Sequence, residues 1–174
     1  MIVVVMGVSG AGKTTIGRGL AGRLGAAFVE GDDFHPATSV EKMRRGQPLT
    51  DADREPWLAD LAHLAGDLAP GDRHVVLACS ALKQSYRDIL AAAGPGRVRF
   101  VYLKAAPDLI RARMQARTGH FMPASLIESQ FADLEEPPLA IVIDAAERPE
   151  QILDEIEAEL ARQGLMGNAD KKVE

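Results

Sequence analysis

At 174 residues the chain is long enough for one domain with a sizeable core, and at 47% hydrophobic and 26% charged it is ordinary in composition. A net charge of −5 argues against bulk binding to nucleic acid or an anionic membrane, although a local nest of N–H groups still admits a small anion. The single cysteine, Cys79, excludes an internal disulfide and fits a reducing compartment, the cytoplasm.

No apolar run approaches the roughly 20 residues of a membrane span. The N-terminus runs directly into a strand, so no signal peptide is expected. Ile2–Met6 is short, apolar and β-branched, the pattern of a buried strand. Gly7-Val8-Ser9-Gly10-Ala11-Gly12-Lys13-Thr14 follows and fits G-x-x-x-x-G-K-[ST]. At average residue frequencies, chance gives such a match in a chain of this length less than about one time in a hundred. Residues 15–24 carry Ile16, Leu20 and Leu24 at helical spacing, so strand, glycine loop and helix stand in the order of a P-loop.

Residues 26–29 are a second strand, ending in Glu30-Gly31-Asp32-Asp33-Phe34-His35-Pro36. Carboxylates at the carboxyl end of a strand sit where open α/β sheets bind ligands. A short polar helix over 39–45 closes at Gly46. A long helix follows, with Asp53 as its expected N-cap and Trp57, Leu58, Leu61, Leu64, Ala65 and Leu68 as its apolar stripe. Residues 74–79 form a third strand, and Ser80-Ala81-Leu82-Lys83 leads into a helix with Tyr86, Arg87, Ile89 and Leu90. A fourth strand spans 98–103, and a helix from Pro107 runs to about 117. Residues 118–123 are a loop, and a further helix holds Leu126, Ile127, Phe131 and Leu134. A fifth strand over 139–143 and an amphipathic helix over 149–162 complete the domain.

This alternation predicts an α/β domain over residues 1–163: a five-stranded parallel sheet with helices on both faces and a small lid at about 117–123. Residues 164–174 lack periodicity and are expected to fray. The loops at the strands' carboxyl ends share one rim, which gathers the glycine loop, Asp32, Ser80 and the Lys104 region.

The glycine loop defines the chemistry. Consecutive N–H groups and the helix N-terminus cradle phosphates. The expected ATP-phosphate set is Gly7, Val8, Ser9, Gly10, Ala11, Gly12, Lys13, Thr14 and Thr15. Lys13 would reach the β- and γ-phosphates, and the Thr14 hydroxyl would hold Mg²⁺. A GTPase is disfavoured: the only asparagine is Asn168, and no Asp has Gly three residues on. The third strand ends in Cys79-Ser80, without the aspartate of motors and transporters. Asp32 and Asp33 are the nearest carboxylates, as in small-molecule kinases. Arg113 and Arg117, at i and i+4, are candidates for stabilising the transferred phosphoryl group, while Arg111 reads as a solvated surface residue.

Over nearly its whole length the chain resembles the gluconokinases of the P-loop kinase type. The resemblance rests on the glycine loop and on Gly31-Asp32-Asp33-Phe34-His35-Pro36. It extends to Glu41-Lys42-Met43, Gly46-Gln47-Pro48-Leu49 and Asp51-Ala52-Asp53-Arg54-Glu55-Pro56-Trp57-Leu58. Cys79-Ser80-Ala81-Leu82-Lys83, Tyr86-Arg87-Asp88, Gly119-His120-Phe121-Met122, Gln130-Phe131 and Leu134-Glu135 complete it. It implies phosphoryl transfer from ATP to the 6-hydroxyl of D-gluconate, a fold similar to nucleoside monophosphate and shikimate kinases, and a homodimer. Thr14 departs from the Ser often found there, and the tail has no match.

On that reading Asp32 accepts or orients the 6-hydroxyl proton and reaches Mg²⁺ through water, with Asp33 the weaker candidate. His35 bonds a hydroxyl or the carboxylate, or is a plain turn residue. Arg54, Arg87 and Lys83 are the candidates for the substrate carboxylate, each with a surface salt bridge as the alternative. Ser80 bonds substrate or Mg²⁺-bound water, or caps the next helix. His120 and Gln130 flank the lid and close over substrate. Trp57 reads as core and Cys79 as a small buried hydrophobe. Two competitors remain: a kinase for another small acceptor, such as shikimate or a nucleotide, and a nucleotide-binding module without turnover.

Overall fold

The computed structural model describes residues 1–116 and 124–165. The expected lid at 117–123, with Arg117 and His120, lies outside the described residues, as does the chain from 166 onward.

Five parallel strands form one sheet: β1 (Ile2–Met6), β2 (Ala27–Glu30), β3 (Val75–Ala78), β4 (Val98–Lys104) and β5 (Ile141–Asp144), in the order β2-β3-β1-β4-β5. The helices are α1 (Lys13–Leu24), α2 (Ala37–Arg44), α3 (Asp51–Leu68), α4 (Gln84–Ala91), α5 (Pro107–Ala116), α6 (Ala124–Asp133) and α7 (Pro149–Arg162). The expected α/β class and five-stranded parallel sheet are therefore present.

Central β1 is buried along its whole length, as a strand covered on both faces must be. Its side chains alternate between two cores. Val3 and Val5 pack with Leu20, Ile110, Ile152, Ile156 and Leu160 from α1, α5 and α7. Ile2, Val4 and Met6 pack with Trp57, Leu58, Leu61, Tyr86 and Leu90 from α3 and α4. Helices thus cover both faces, and burial of these aliphatic side chains, worth roughly 1.5–3 kcal/mol each, dominates the fold.

Three boundaries differ from the sequence reading. Thr50, not Asp53, caps α3: the Thr50 hydroxyl accepts from the Asp53 N–H at 3.2 Å, and the Asp53 carboxylate accepts from the Thr50 N–H at 2.9 Å. This reciprocal box satisfies two N–H groups where a lone Asp cap satisfies one. Lys42 also donates to Asp53 at 2.6 Å and, with Thr50, holds its carboxyl down at about 2. Strand β5 starts at Ile141 because its pairing with β4 begins at Val101, which leaves Leu139 96% exposed. At the far end, Gly164 (φ 69°) closes α7, and the Leu165 N–H donates to the Leu160 carbonyl while the Leu165 side chain packs on the core, within the stretch expected to fray.

Candidate active site

The carboxyl ends of the strands form the expected rim. The Gly7 N–H donates to the Ser80 carbonyl at 3.2 Å, and a Cβ on Gly7 would lie 2.8 Å from the Leu103 carbonyl oxygen. The loop after β1 is therefore in direct contact with the loop after β3 and with the end of β4.

The glycine loop is built for an anion. Helix α1 begins after Gly12, whose φ of 106° suits glycine. A Cβ built there would meet nothing within 4 Å, so the backbone faces open space. No side chain caps α1, and its first turn holds no acidic residue. The positive end of the helix dipole is left for a ligand, in contrast to the self-capped α3. Lys13 Nζ donates to the Val8 carbonyl at 3.1 Å, within the loop. Thr14 is half-buried and Thr15 exposed beside it, while Val8 and Ala11 are buried against the core. A cleft of about 280 Å³ extends from Gly10, Gly12 and Thr15 to Arg113, Ala145 and Pro149.

Arg113 does not stand over the loop as expected. Its guanidinium donates to the carbonyls of Gly10 (3.4 Å), Ala11 (3.2 Å) and Ala145 (2.6 Å). When successive N–H groups turn inward, the carbonyls turn outward, and Arg113 satisfies them from behind. It clamps the loop to the segment after β5. Arg111 pairs with Asp108 at 2.7 Å on the exposed surface, as read.

Opposite the loop, Gly31 to Phe34 form a single 3₁₀ turn at the end of β2. A Cβ on Gly31 would lie 2.6 Å from the Ala78 carbonyl oxygen, so only glycine lets the turn approach β3. Trp57 Nε1 donates to the Gly31 carbonyl at 2.9 Å, and its ring stacks on His35 with centroids 3.9 Å apart. Trp57 is thus core, as read, and also the platform that fixes this turn. The need of a buried indole N–H for a partner was the available signal. Asp32 stays solvent-facing with its side chain 69% exposed, and Asp33 is exposed next to it.

Three cations were candidates for a carboxylate, and the structure separates them. Arg87 is 2% exposed and donates to the Ala81 and Leu82 carbonyls and to Gln84 Oε1. Its fork is committed to shaping the turn after β3, so the sequence reading of Arg87 as a substrate cation is corrected. Lys83 pairs with Asp51 at 2.7 Å and lies 3.8 Å from Asp133. Asp51 also accepts from the Tyr86 hydroxyl. Arg54 lies over the Tyr86 ring at 5.6 Å, and its one hydrogen bond, from Nε to the Leu49 carbonyl, is long at 3.4 Å. Among the described residues no carboxylate pairs with it. Ser80 is half-buried and does not cap α4, whose N-cap is Lys83. Gln130 is placed on the phosphate loop rather than over the acceptor side: its Oε1 accepts from the Ser9 N–H at 2.6 Å.

The AAA domain family matches residues 2–137. A gluconokinase of Gluconobacter oxydans (strain 621H) is 47% identical over 157 residues, covering 88% of each chain. The chain belongs to the gluconokinase family. The thermosensitive gluconokinase of Escherichia coli (strain K12) is 48% identical over 134 residues, 77% of this chain and 71% of that one. The crystal structure of a gluconokinase from Sinorhizobium meliloti 1021 superposes with a TM-score of 0.84 at 44% identity, covering 92% of this chain and 91% of that chain. No helix among the described residues is long and apolar enough to cross a membrane.

In this gluconokinase-family chain His35 gives a pH-dependent stability. Its side chain is 5% exposed, and its Nδ1 is buried without a hydrogen-bond partner. Burial pushes its pKa below 6.5, the charge of Asp32 pulls upward, and that of Arg54 pushes down again. The unfolded chain regains the ordinary value and binds the proton first as pH falls. Stability is full above about 6.5, and is lost as pH drops through that value toward the depressed one. Thermal melts from pH 7.5 to 5.5 should show a falling Tm. His35→Phe, which keeps a ring on Trp57 but cannot titrate, should flatten that component. An unchanged slope in the variant would mean that His35 is not held neutral.

Proposed function

We propose that this chain transfers the γ-phosphoryl group of ATP to the 6-hydroxyl of D-gluconate, giving 6-phospho-D-gluconate. One observation carries the reading. An anion-ready loop shares one rim with an exposed aspartate on a braced turn and with an arginine that has no carboxylate partner among the described residues, in a member of the gluconokinase family. The reaction needs those groups: one for phosphates, one for the acceptor hydroxyl, one for the carboxylate.

The loop N–H groups and Lys13 hold the β- and γ-phosphates, and the cleft beside Arg113 takes the nucleoside end. Thr14 offers a hard oxygen ligand at the first turn of α1, and no cluster of three or more His, Cys, Asp or Glu able to hold a metal exists among the described residues. That donor set fits Mg²⁺, which is held largely by phosphate oxygens and water rather than by a protein cage. Mg²⁺ neutralises phosphate charge when bound. Asp32 accepts a hydrogen bond from the 6-hydroxyl and orients its oxygen toward the γ-phosphorus. Arg54 holds the carboxylate through its terminal amino groups, and the Tyr86–Asp51–Lys83 cluster fixes the face on which it rests. Ser80, at the junction of the loops, and His35, beside Asp32, line the path between them.

The test is ADP release with D-gluconate, D-glucitol, shikimate and AMP at equal concentration, for the wild type and Arg54→Gln. D-Glucitol keeps the open chain and the 6-hydroxyl but lacks the carboxylate. Gluconate should lead in kcat/KM, with the others far behind. Arg54→Gln should lose about ten- to a hundredfold on gluconate, the loss of a charged hydrogen bond of roughly 1.5–3 kcal/mol. Its rate on D-glucitol should change little. Faster turnover of shikimate or AMP would overturn the acceptor, and an intact gluconate preference in the variant would overturn the role of Arg54.

A further inference from the structure

Gln130 joins two parts of the site that lie far apart in sequence. Its Oε1 accepts from the Ser9 N–H at 2.6 Å, across 121 positions of chain. The end of α6 is fastened elsewhere as well. Asp133 lies 3.8 Å from Lys83, the Glu135 N–H donates to the Leu82 carbonyl at 3.0 Å, and the Gln84 N–H donates to Glu135 Oε2 at 2.6 Å. The segment therefore spans from the glycine loop to the turn after β3, on the acceptor side. Gln130 is half-buried at the phosphate-loop end of that span.

A carboxamide carries one acceptor oxygen and an NH₂ group with two donors. In Gln130 the oxygen is committed to Ser9. The nitrogen, bonded to the same carbon, lies beside the loop, and none of its donors is taken by an acceptor among the described residues. Ser9 is the third residue of the loop, before the turn that leads to Lys13 and Thr14 at the start of α1. A donor at this point stands at the glycine loop, on the segment that runs on to the turn after β3.

We propose that Gln130 is a further catalytic residue, whose Nε2 donates a hydrogen bond to the phosphoryl group in transit while Oε1 anchors it to Ser9. The inference rests on the phosphoryl-transfer reading above. Charge spreads over the phosphoryl oxygens during transfer, and a donor already fixed in place stabilises it without reorganisation.

Two substitutions separate this role from a structural one. Gln130→Glu keeps an acceptor for Ser9, removes both donors and adds a negative charge. Gln130→Met removes donor and acceptor together. Both should lower kcat by about a hundredfold or more, the scale for loss of one preorganised donor. KM for gluconate should move less than about threefold, since the lost bond forms in the transition state. Thermal melting of Gln130→Glu should match the wild type.

Wild-type kcat in Gln130→Glu with impairment only in Gln130→Met would mean a purely structural clasp on Ser9 and overturn the proposal. Tighter ATP binding in Gln130→Met at unchanged kcat would mean that the side chain merely blocks the loop, which also overturns it. A wild type without gluconate-dependent ADP release would instead sink the acceptor assignment. The same three proteins compared for ATP hydrolysis by water would then still decide the role of Gln130.

Discussion

Lys13→Met should abolish phosphoryl transfer and leave the fold intact. Lys13 is the first residue of α1, and Nζ bonds the Val8 carbonyl within the loop. Removing the ammonium takes away the one formal charge that the loop itself carries, at the point where the helix dipole and the N–H groups already converge. A single preorganised donor at such a point contributes about 10²–10³ in kcat, and a full positive charge should exceed the upper end of that range. The fold has little at stake. The side chain is half-buried, and a methionine of similar length refills its volume without opening a cavity. Loss of a hydrogen bond worth about 1 kcal/mol moves the Tm of a domain of this size by about 2–4 °C. ADP release at saturating ATP, together with a thermal melt, checks both halves. Turnover near the wild-type rate would remove the phosphate-binding role of the loop. A collapsed melt would show that Lys13 holds the loop together.

The parts of the structure that follow from local sequence were legible, and the parts that depend on distant carbonyls were not. Strands β1, β3 and β4 stand out as apolar runs because both faces of a central parallel strand are buried. The glycine loop is legible because its eight residues carry their own turn, nest and helix start. Strand β5 was displaced by two residues because an edge strand begins where its pairing begins, and no local signal marks Val101, the fourth residue of β4, as the first rung. At the start of α3 the sequence reading took Asp53 as the cap, and only the reciprocal bonds show that Thr50 starts the helix.

The arginines make the same point at the site. Sequence places Arg54, Arg87 and Arg113 near the rim but says nothing about which carbonyls point at them. Arg87 is drawn to Ala81 and Leu82, and Arg113 to Gly10, Ala11 and Ala145. A guanidinium in each place satisfies backbone oxygens that a tight turn has aimed outward, and this use of charge is structural. Arg54 lies on an aromatic face instead, where the ring attracts the cation without occupying its donors. Three residues of one type therefore divide by partners that lie elsewhere in the chain: Arg87 and Arg113 clamp backbone turns, and Arg54 rests on the Tyr86 ring. Gln130 was expected to close over substrate, and its bond from the Ser9 N–H depends on a partner 121 positions away, so its place was not legible for the same reason.

Asp32→Asn should lower kcat by at least about a hundredfold, the lower range for a positioned acid–base group. Its stability should stay near that of the wild type. The side chain is 69% exposed, and His35 Nε2 lies 3.9 Å away on a ring whose pKa burial lowers. No hydrogen bond of the turn depends on the carboxylate. The backbone beneath it is fixed independently, by Trp57 bonded to the Gly31 carbonyl and by the approach of Gly31 to Ala78. Asparagine therefore keeps the position and shape of Asp32 and loses only the charge that is proposed to engage the hydroxyl. Asp33, on the next position of the same turn, is exposed as well, and Asp33→Asn is the matched control with a small expected effect. ATP affinity, measured by titration of a fluorescent analogue, should survive in both variants, because the loop N–H groups do not use either side chain. Unchanged turnover in Asp32→Asn would remove the aspartate from the chemistry. Weakened nucleotide binding with full turnover per bound ATP would make it a ligand for the nucleotide or its Mg²⁺ instead of the acceptor's partner.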